Sequence, residues 1–212
     1  MPKKVQFKKS KVIKKAAKKS LKSVKVKSKP KTKIPPQVAK YLEKTGVSHE
    51  ILEHRTVYTA MDAAMTLKKK LDEIAKSLLV MADKDYYLIV LPSDKNIDLE
   101  KLKKVLIKET KRDIKVVKIP SEKVMEEFIK IKQGKVSAFG KVYNVPVIME
   151  KSFDKVKKAV FPSGSFNHSV EMLVKDFVKL ENAMLGTFGV PKKIKLQSAK
   201  NAKGKKKPKN KN

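Results

Sequence analysis

The sequence predicts an α+β fold: a compact mixed sheet or barrel-like core with surrounding helices, flanked by disordered lysine-rich tails. Three observations point there. Helical and strand periods alternate through the middle of the chain without the strict βαβ repeat of a doubly wound fold, and strand-like runs predominate. The ends differ in composition from the middle: residues 1–35 hold 15 lysines and residues 191–212 hold 10, with no acid in either. Such runs have little to bury and repel themselves, so they are expected to be disordered when free. Residues 36–190 carry 28 basic and 21 acidic residues, a net +7 out of +32 for the whole chain. The predicted division is therefore a tail over 1–35, one domain over 36–190, and a second tail over 191–212.

Within the domain, "PQVAKYLEKTG" places Val38, Tyr41 and Leu42 on one helical face and ends at Gly46, a natural C-terminal cap. "SHEILEHRTVY" reads as a strand and "TAMDAAMTLKKK" as a helix that Thr59 is placed to cap. "IAKSLLVMADKDYYLIVLP" is two apolar runs around Asp83, Lys84 and Asp85, the pattern of a hairpin. Asp98 then caps a helix with Leu99, Leu102 and Leu106 inward. "DIKVVKIP" is a strand, and Ser121 starts a helix bearing Val124, Phe128 and Ile129. Further strands are expected near 145–149, 158–161 and 169–174, followed by a short helix through Phe177 and Leu180.

Composition narrows the function classes. All but two of the 53 basic residues are lysine, the exceptions being Arg55 and Arg112. A field of this sign attracts polyanions, nucleic acid before an anionic membrane surface. The absence of cysteine excludes disulfides and thiolate metal sites and suits a cytoplasmic protein. His49, His54 and His168 are too few and too scattered for a metal motif, and no cofactor fingerprint is present. His49 and His54 flank a strand on opposite parities and look unrelated. No stretch approaches the ~18 apolar residues of a membrane span, and the N-terminal segment lacks the apolar region expected of a signal peptide.

Two glycine-containing loops and one lysine are the candidates for chemistry. In "GKVSAFG" Ser137 sits between Gly134 and Gly140 at G-x-x-S-x-x-G spacing, wider than the G-x-S-x-G nucleophile elbow. Glycine lets backbone N–H groups approach a ligand, so this loop could hold an oxyanion or a phosphate, or it could be a simple closed turn. "GSFNHSV" offers Asn167 and His168 at a strand entrance, with the same two readings. Lys76 shares a strand face with Ile74, Leu78 and Val80, in a strand apolar on both faces. It must therefore reach a partner or cleft, or snorkel to the strand end.

Taken in order, "VSHEILEHRTVYTAMDAA", "IAKSLLV", "YYLIVLPSDKNIDLEKLKK", "GKVSAFG", "VPVIMEKSF" and "AVFPSGSFNHSVEM" resemble the aminoacyl-tRNA deacylases of the YbaK/ProX type over roughly residues 38–181. The resemblance implies a free-standing enzyme that hydrolyses the ester joining a wrong amino acid to a tRNA 3′ end. It implies catalytic positions at Lys76, Gly134, Ser137 and Gly140, with Tyr58, Thr59, Phe166, Asn167 and His168 holding substrate. Ser137 is then a pocket-lining residue, water attacks the ester, and Lys76 binds a carbonyl oxygen or phosphate. Mischarged tRNA is the implied partner, with a synthetase or the ribosome as further candidates, and no metal or cofactor is implied. Three positions depart from the family pattern: Ala138 stands for proline, Glu150 for aspartate, and Phe166 for a small or basic residue. The competing reading is a non-catalytic tRNA-binding adaptor, favoured if Phe166 fills the pocket.

Overall fold

The computed structural model describes residues 34–130 and 134–192. The chain enters through Ile34, only 3% exposed, into helix α1 (Pro36–Thr45). Proline suits the first helical turn because its missing N–H has no intrahelical partner there. Gly46 closes the helix with its N–H on the Leu42 carbonyl, and Val38 and Leu42 face the core. Strand β1 (His49–Glu53) is shorter than its sequence suggests. From His54 onward the backbone bonds to a loop instead of a ladder: the His54 and Val57 N–H groups donate to the Asn167 and Phe166 carbonyls, both at 2.9 Å. Helix α2 (Ala60–Leu67) begins at Thr59, whose hydroxyl accepts the Asp62 N–H.

Strands β2 (Ala75–Ala82) and β3 (Asp85–Pro92) form the expected hairpin, with Ala82 opposite Asp85. Its tip is anchored. Asp83 has φ 52° and its carboxylate accepts the Lys115 and Val116 N–H groups, which hold its pKa below the usual carboxylate value. After the short β4 (Lys95–Ile97), Asp98 caps α3 (Leu99–Thr110) by accepting two backbone N–H groups, and Leu102 and Leu106 are buried. The run around Lys115 gives only a two-residue strand, β5 (Val117–Lys118). Ser121 caps α4 (Glu122–Ile129), where Met125 is buried; Phe128 remains 46% exposed, stacked on Tyr86 at 3.9 Å. Then follow β6 (Val147–Glu150), β7 (Lys158–Pro162), β8 (His168–Leu173), α5 (Val174–Glu181), β9 (Met184–Gly186) and β10 (Gly189–Pro191).

The main sheet runs β5-β2-β3-β6-β9, antiparallel at β2–β3 and parallel at β3–β6 and β6–β9. A second sheet, β1-β8-β7, is antiparallel, and β10 pairs with β4. Among the described residues the sheets do not close into a barrel: a single parallel bridge, Ile74 to Val160, joins the first two. Both faces of the β2–β3 hairpin are covered, which explains its continuous apolar runs. Leu79, Leu88 and Val90 pack with Phe139, Phe161 and Phe177 on one side; Val80, Ile89 and Leu91 pack with Leu102, Leu106 and Phe188 on the other.

The described domain reaches slightly past the predicted limits, from buried Ile34 to Pro191, which is paired with Lys95. The rest of both lysine-rich segments lies outside the described residues.

One detail of this topology creates the site. Among the described residues, on the side away from β3, β2 is paired with β5 only at Met81 and Ala82, and β7 meets its start only at Ile74. The two neighbours diverge from one strand, and a cavity opens between them.

Candidate active site

The cavity has a volume of about 300 Å³. Its interior is apolar, with Val57, Ala63, Ile74, Leu79, Met125, Val136 and Val160 in the wall. Polar groups enter at a few points: Thr59, Lys76, Ser77, Ser165 and Ser169. Among the described residues, Lys76 is the one charged side chain in the lining, and no carboxylate is present there. No three His, Cys, Asp or Glu residues among those described gather to hold a metal ion.

Strand alternation splits Lys76 from Ser77. The Ser77 hydroxyl donates to the Val136 carbonyl at 2.7 Å and fastens the glycine loop to β2. Lys76 lines the cavity, while its ammonium donates to the Lys95 carbonyl. Burial lowers its pKa, nearby Lys192 lowers it further, and Asp94 opposes both.

The first loop divides into two parts. Gly134, at φ 80°, lies in the lining beside Phe166; a Cβ there would sit 3.4 Å from the ring. From residue 137 the backbone turns inward. The Ser137 N–H donates to the Tyr143 hydroxyl at 2.9 Å, the Ala138 N–H to the Pro162 carbonyl at 2.9 Å, and the Phe139 N–H to Ser137 Oγ at 3.3 Å. The Lys141 N–H goes to the Glu181 carboxylate at 3.0 Å, which also accepts the Tyr41 hydroxyl at 2.8 Å. Ser137 is fully buried and does not line the cavity. Gly140 is required by packing, because a Cβ would stand 2.4 Å from the Val145 carbonyl oxygen and 2.5 Å from Val147. Of the four residues expected to be catalytic, the structure thus brings Lys76 and Gly134 together and gives Ser137 and Gly140 internal neighbours. The N–H groups of 137–139 and 141 already have acceptors inside the protein, so they are not available to an oxyanion, and of the stretch the sequence singled out only 134–136 borders the cavity without such bonds.

The expected substrate contacts divide similarly. Phe166 stands at the cavity rim, tilted against Tyr58 at 5.2 Å, with the Lys135 ammonium 5.3 Å from its ring centre. Tyr58 is 73% exposed, and the Thr59 hydroxyl is engaged at the start of α2. Asn167 points elsewhere, its amide donating to Thr56 Oγ1 at 2.9 Å, and His168 is buried with Nδ1 3.5 Å from Ser165 Oγ. Neither lines the cavity, because β8 begins at His168 and alternation gives the cavity face to Ser169.

Sequence reasoning passed over Ser165 and Ser169, and weighed His54 only as a metal ligand and as a neighbour of His49. His54 lies behind Ser169, its Nε2 2.9 Å from Ser169 Oγ and its Nδ1 2.9 Å from the Arg55 carbonyl. The signal was the β1–β8 pairing, Leu52 opposite Ser169, a register that strand periodicity alone does not supply.

The departures at Ala138 and Glu150 serve the interior. Ala138 is wholly buried, and Glu150 accepts the Phe188 and Gly189 N–H groups at 2.8 and 2.6 Å.

Comparison with known proteins decides the family. The family model described as the aminoacyl-tRNA editing domain matches residues 54–180. The chain belongs to the aminoacyl-tRNA editing domain family. The match spans both glycine loops, β2 and the His54–Ser169 pair. Within this family, the prolyl-tRNA editing protein ProX of Acetoanaerobium sticklandii is 29% identical over 116 residues, 54% of this chain and 67% of that one. Two solved structures share this chain's fold. The hypothetical protein APE2540 superposes with a TM-score of 0.64 at 20% identity, covering 73% of this chain and 99% of its own. A candidate trans-editing enzyme for prolyl tRNA synthetase gives 0.63 at 17% identity, covering 74% and 99%. No helix among the described residues is long and apolar enough to cross a membrane.

Proposed function

We propose that this editing-domain protein is an aminoacyl-tRNA deacylase acting in trans in the cytoplasm, hydrolysing the ester between a mismatched amino acid and a tRNA 3′ end. The observation that supports it is the open cavity: Phe166 stands at the rim against Tyr58 and leaves about 300 Å³ free behind it. A filled pocket would have favoured the adaptor. In this reading the terminal base packs on the Tyr58–Phe166 pair, since aromatic faces accept any base. The aminoacyl group enters the apolar interior, and its carbonyl lies between Lys76 and the Gly134–Val136 backbone. Lys76 exchanges the Lys95 carbonyl for the substrate's carbonyl oxygen or terminal phosphate. Water attacks, because an oriented ester needs no covalent intermediate.

The lysine runs outside the domain add affinity without choosing the amino acid. Lysine is a flexible point charge that follows phosphates and reads no sequence. The test is a panel of mischarged tRNAs incubated with the protein, scored for amino-acid release. Release from at least one mismatched pair, with the cognate pair spared, is expected; an intact panel overturns the reading.

A further inference from the structure

We propose that Ser169 and His54 form the proton path for the attacking water, with Ser169 touching that water and His54 as the final acceptor behind it. The inference rests on the deacylase reading and adds to it the general base that Ser137, buried in its own loop, does not provide.

The hydrogen-bond directions follow from elementary valence. A backbone carbonyl only accepts, so the bond between His54 Nδ1 and the Arg55 carbonyl places the ring proton on Nδ1. In the neutral ring Nε2 then carries a lone pair, directed 2.9 Å away at Ser169 Oγ. The serine hydroxyl must be the donor, and its own lone pairs are left for a third group. Ser169 lines the cavity, so that group is one inside the cavity. Here a hydroxyl is on the wall and a proton acceptor lies directly behind it, with 7% and 9% of the two residues exposed.

Holding the chain together does not require this pair. Five consecutive residue pairs already fix β1 against β8, and the His54 and Val57 N–H groups extend the attachment onto Asn167 and Phe166. The hydrogen bonds of the pair offset its burial, but they do not set the register, which the backbone ladder already fixes.

The step balances. The water oxygen forms a bond to the ester carbonyl carbon as its proton passes to Ser169 Oγ, whose own proton passes to His54 Nε2. The imidazolium is then satisfied on both sides, by the Arg55 carbonyl and Ser169 Oγ. Collapse breaks the bond from carbon to the ribose oxygen, and the proton returns by the same path to that oxygen. Free amino acid and intact tRNA result, and no oxidant, metal or covalent enzyme ester is involved.

The experiment compares single-turnover and steady-state hydrolysis of one mischarged tRNA by the full chain and three variants. His54→Gln keeps an acceptor for the Ser169 hydroxyl but takes up no proton; Ser169→Ala removes the hydroxyl; Ser169→Thr retains it. General-base catalysis contributes about 10²- to 10⁴-fold. His54→Gln and Ser169→Ala are therefore expected to lose kcat on that order with KM unchanged, while Ser169→Thr keeps most of the rate. Wild-type kcat in His54→Gln, an equal loss in Ser169→Thr and Ser169→Ala, or a seryl ester trapped at Ser169 would overturn the assignment while the wild-type chain still hydrolyses. A wild-type chain inactive on every tRNA overturns the deacylase reading itself, and this inference with it. If His54→Gln does not fold, the Ala-to-Thr contrast at Ser169 decides alone.

Discussion

The loops 134–140 and 163–169 look alike in sequence, each bringing glycine and serine to the start of regular structure, yet the fold uses them oppositely. In the first, Ser137 is fully buried, its hydroxyl accepts the Phe139 N–H, and the neighbouring amides are held by Tyr143, Pro162 and Glu181. In the second, Ser165 and Ser169 line the cavity, and each has a histidine nitrogen within 3.5 Å. A glycine-bracketed serine marks a loop that approaches something closely. Whether it approaches a ligand or the rest of the protein depends on where the adjacent N–H groups find acceptors.

The comparison can be broken most sharply at the charge between the loops. Lys76→Ala is expected to raise the barrier to deacylation by ~2.7 to 4 kcal/mol, the usual loss for one preorganised donor, measured as kcat on a mischarged tRNA. Lys76→Met should be equally inactive and no less stable than the parent at neutral pH. The sign follows from linkage. Burial lowers the folded pKa, so the unfolded chain holds this proton more tightly and the parent gains stability as pH rises between the folded value and the ordinary one. Lys76→Met removes that rise, which urea titrations on the alkaline side of neutrality would detect.

Gly140→Ala tests the inward half of the first loop. The methyl group would press on the Val145 carbonyl, and a stability loss of about 1 to 3 kcal/mol is expected in denaturant titration. Ser137→Ala leaves the Phe139 N–H without its acceptor, at a similar cost of about 1 to 3 kcal/mol at most, with kcat retained. A large kcat loss in a stably folded Ser137→Ala protein would reverse the assignment of the two loops. The smallest effect concerns Tyr41. Burial, and then its bond to Glu181, raise its pKa, so the folded state keeps the phenol proton while the unfolded state releases it above the ordinary tyrosine value. Stability contributed by this group falls as pH rises beyond that value, and Tyr41→Phe should flatten that part of the pH–stability curve.

Much of the fold was legible. The caps at Thr59, Asp98 and Ser121 act as their side-chain chemistry dictates, and the Asp83–Lys84 turn sits where the two apolar runs meet. The short elements were less so: β5 is two residues long because Lys115 and Val116 are drawn to the Asp83 carboxylate, a contact 32 and 33 residues away in sequence. At the site, Lys76, Gly134 and Phe166 were readable as an unusual charge, a permissive backbone and a family departure. Ser169 and His54 were not, because their meeting depends on the register of strands 115 residues apart.

If the cavity beside β2 hydrolyses aminoacyl esters, filling it stops the reaction. Ala60 lines the mouth at the start of α2, and Ala60→Trp would occupy the space while leaving Lys76, Ser169 and the lysine-rich ends in place. Amino-acid release from a mischarged tRNA should be rapid with the parent protein and lost with the correctly folded variant, which still binds uncharged tRNA. Equal release by both proteins, or none by the parent on any mischarged tRNA, would contradict the claim.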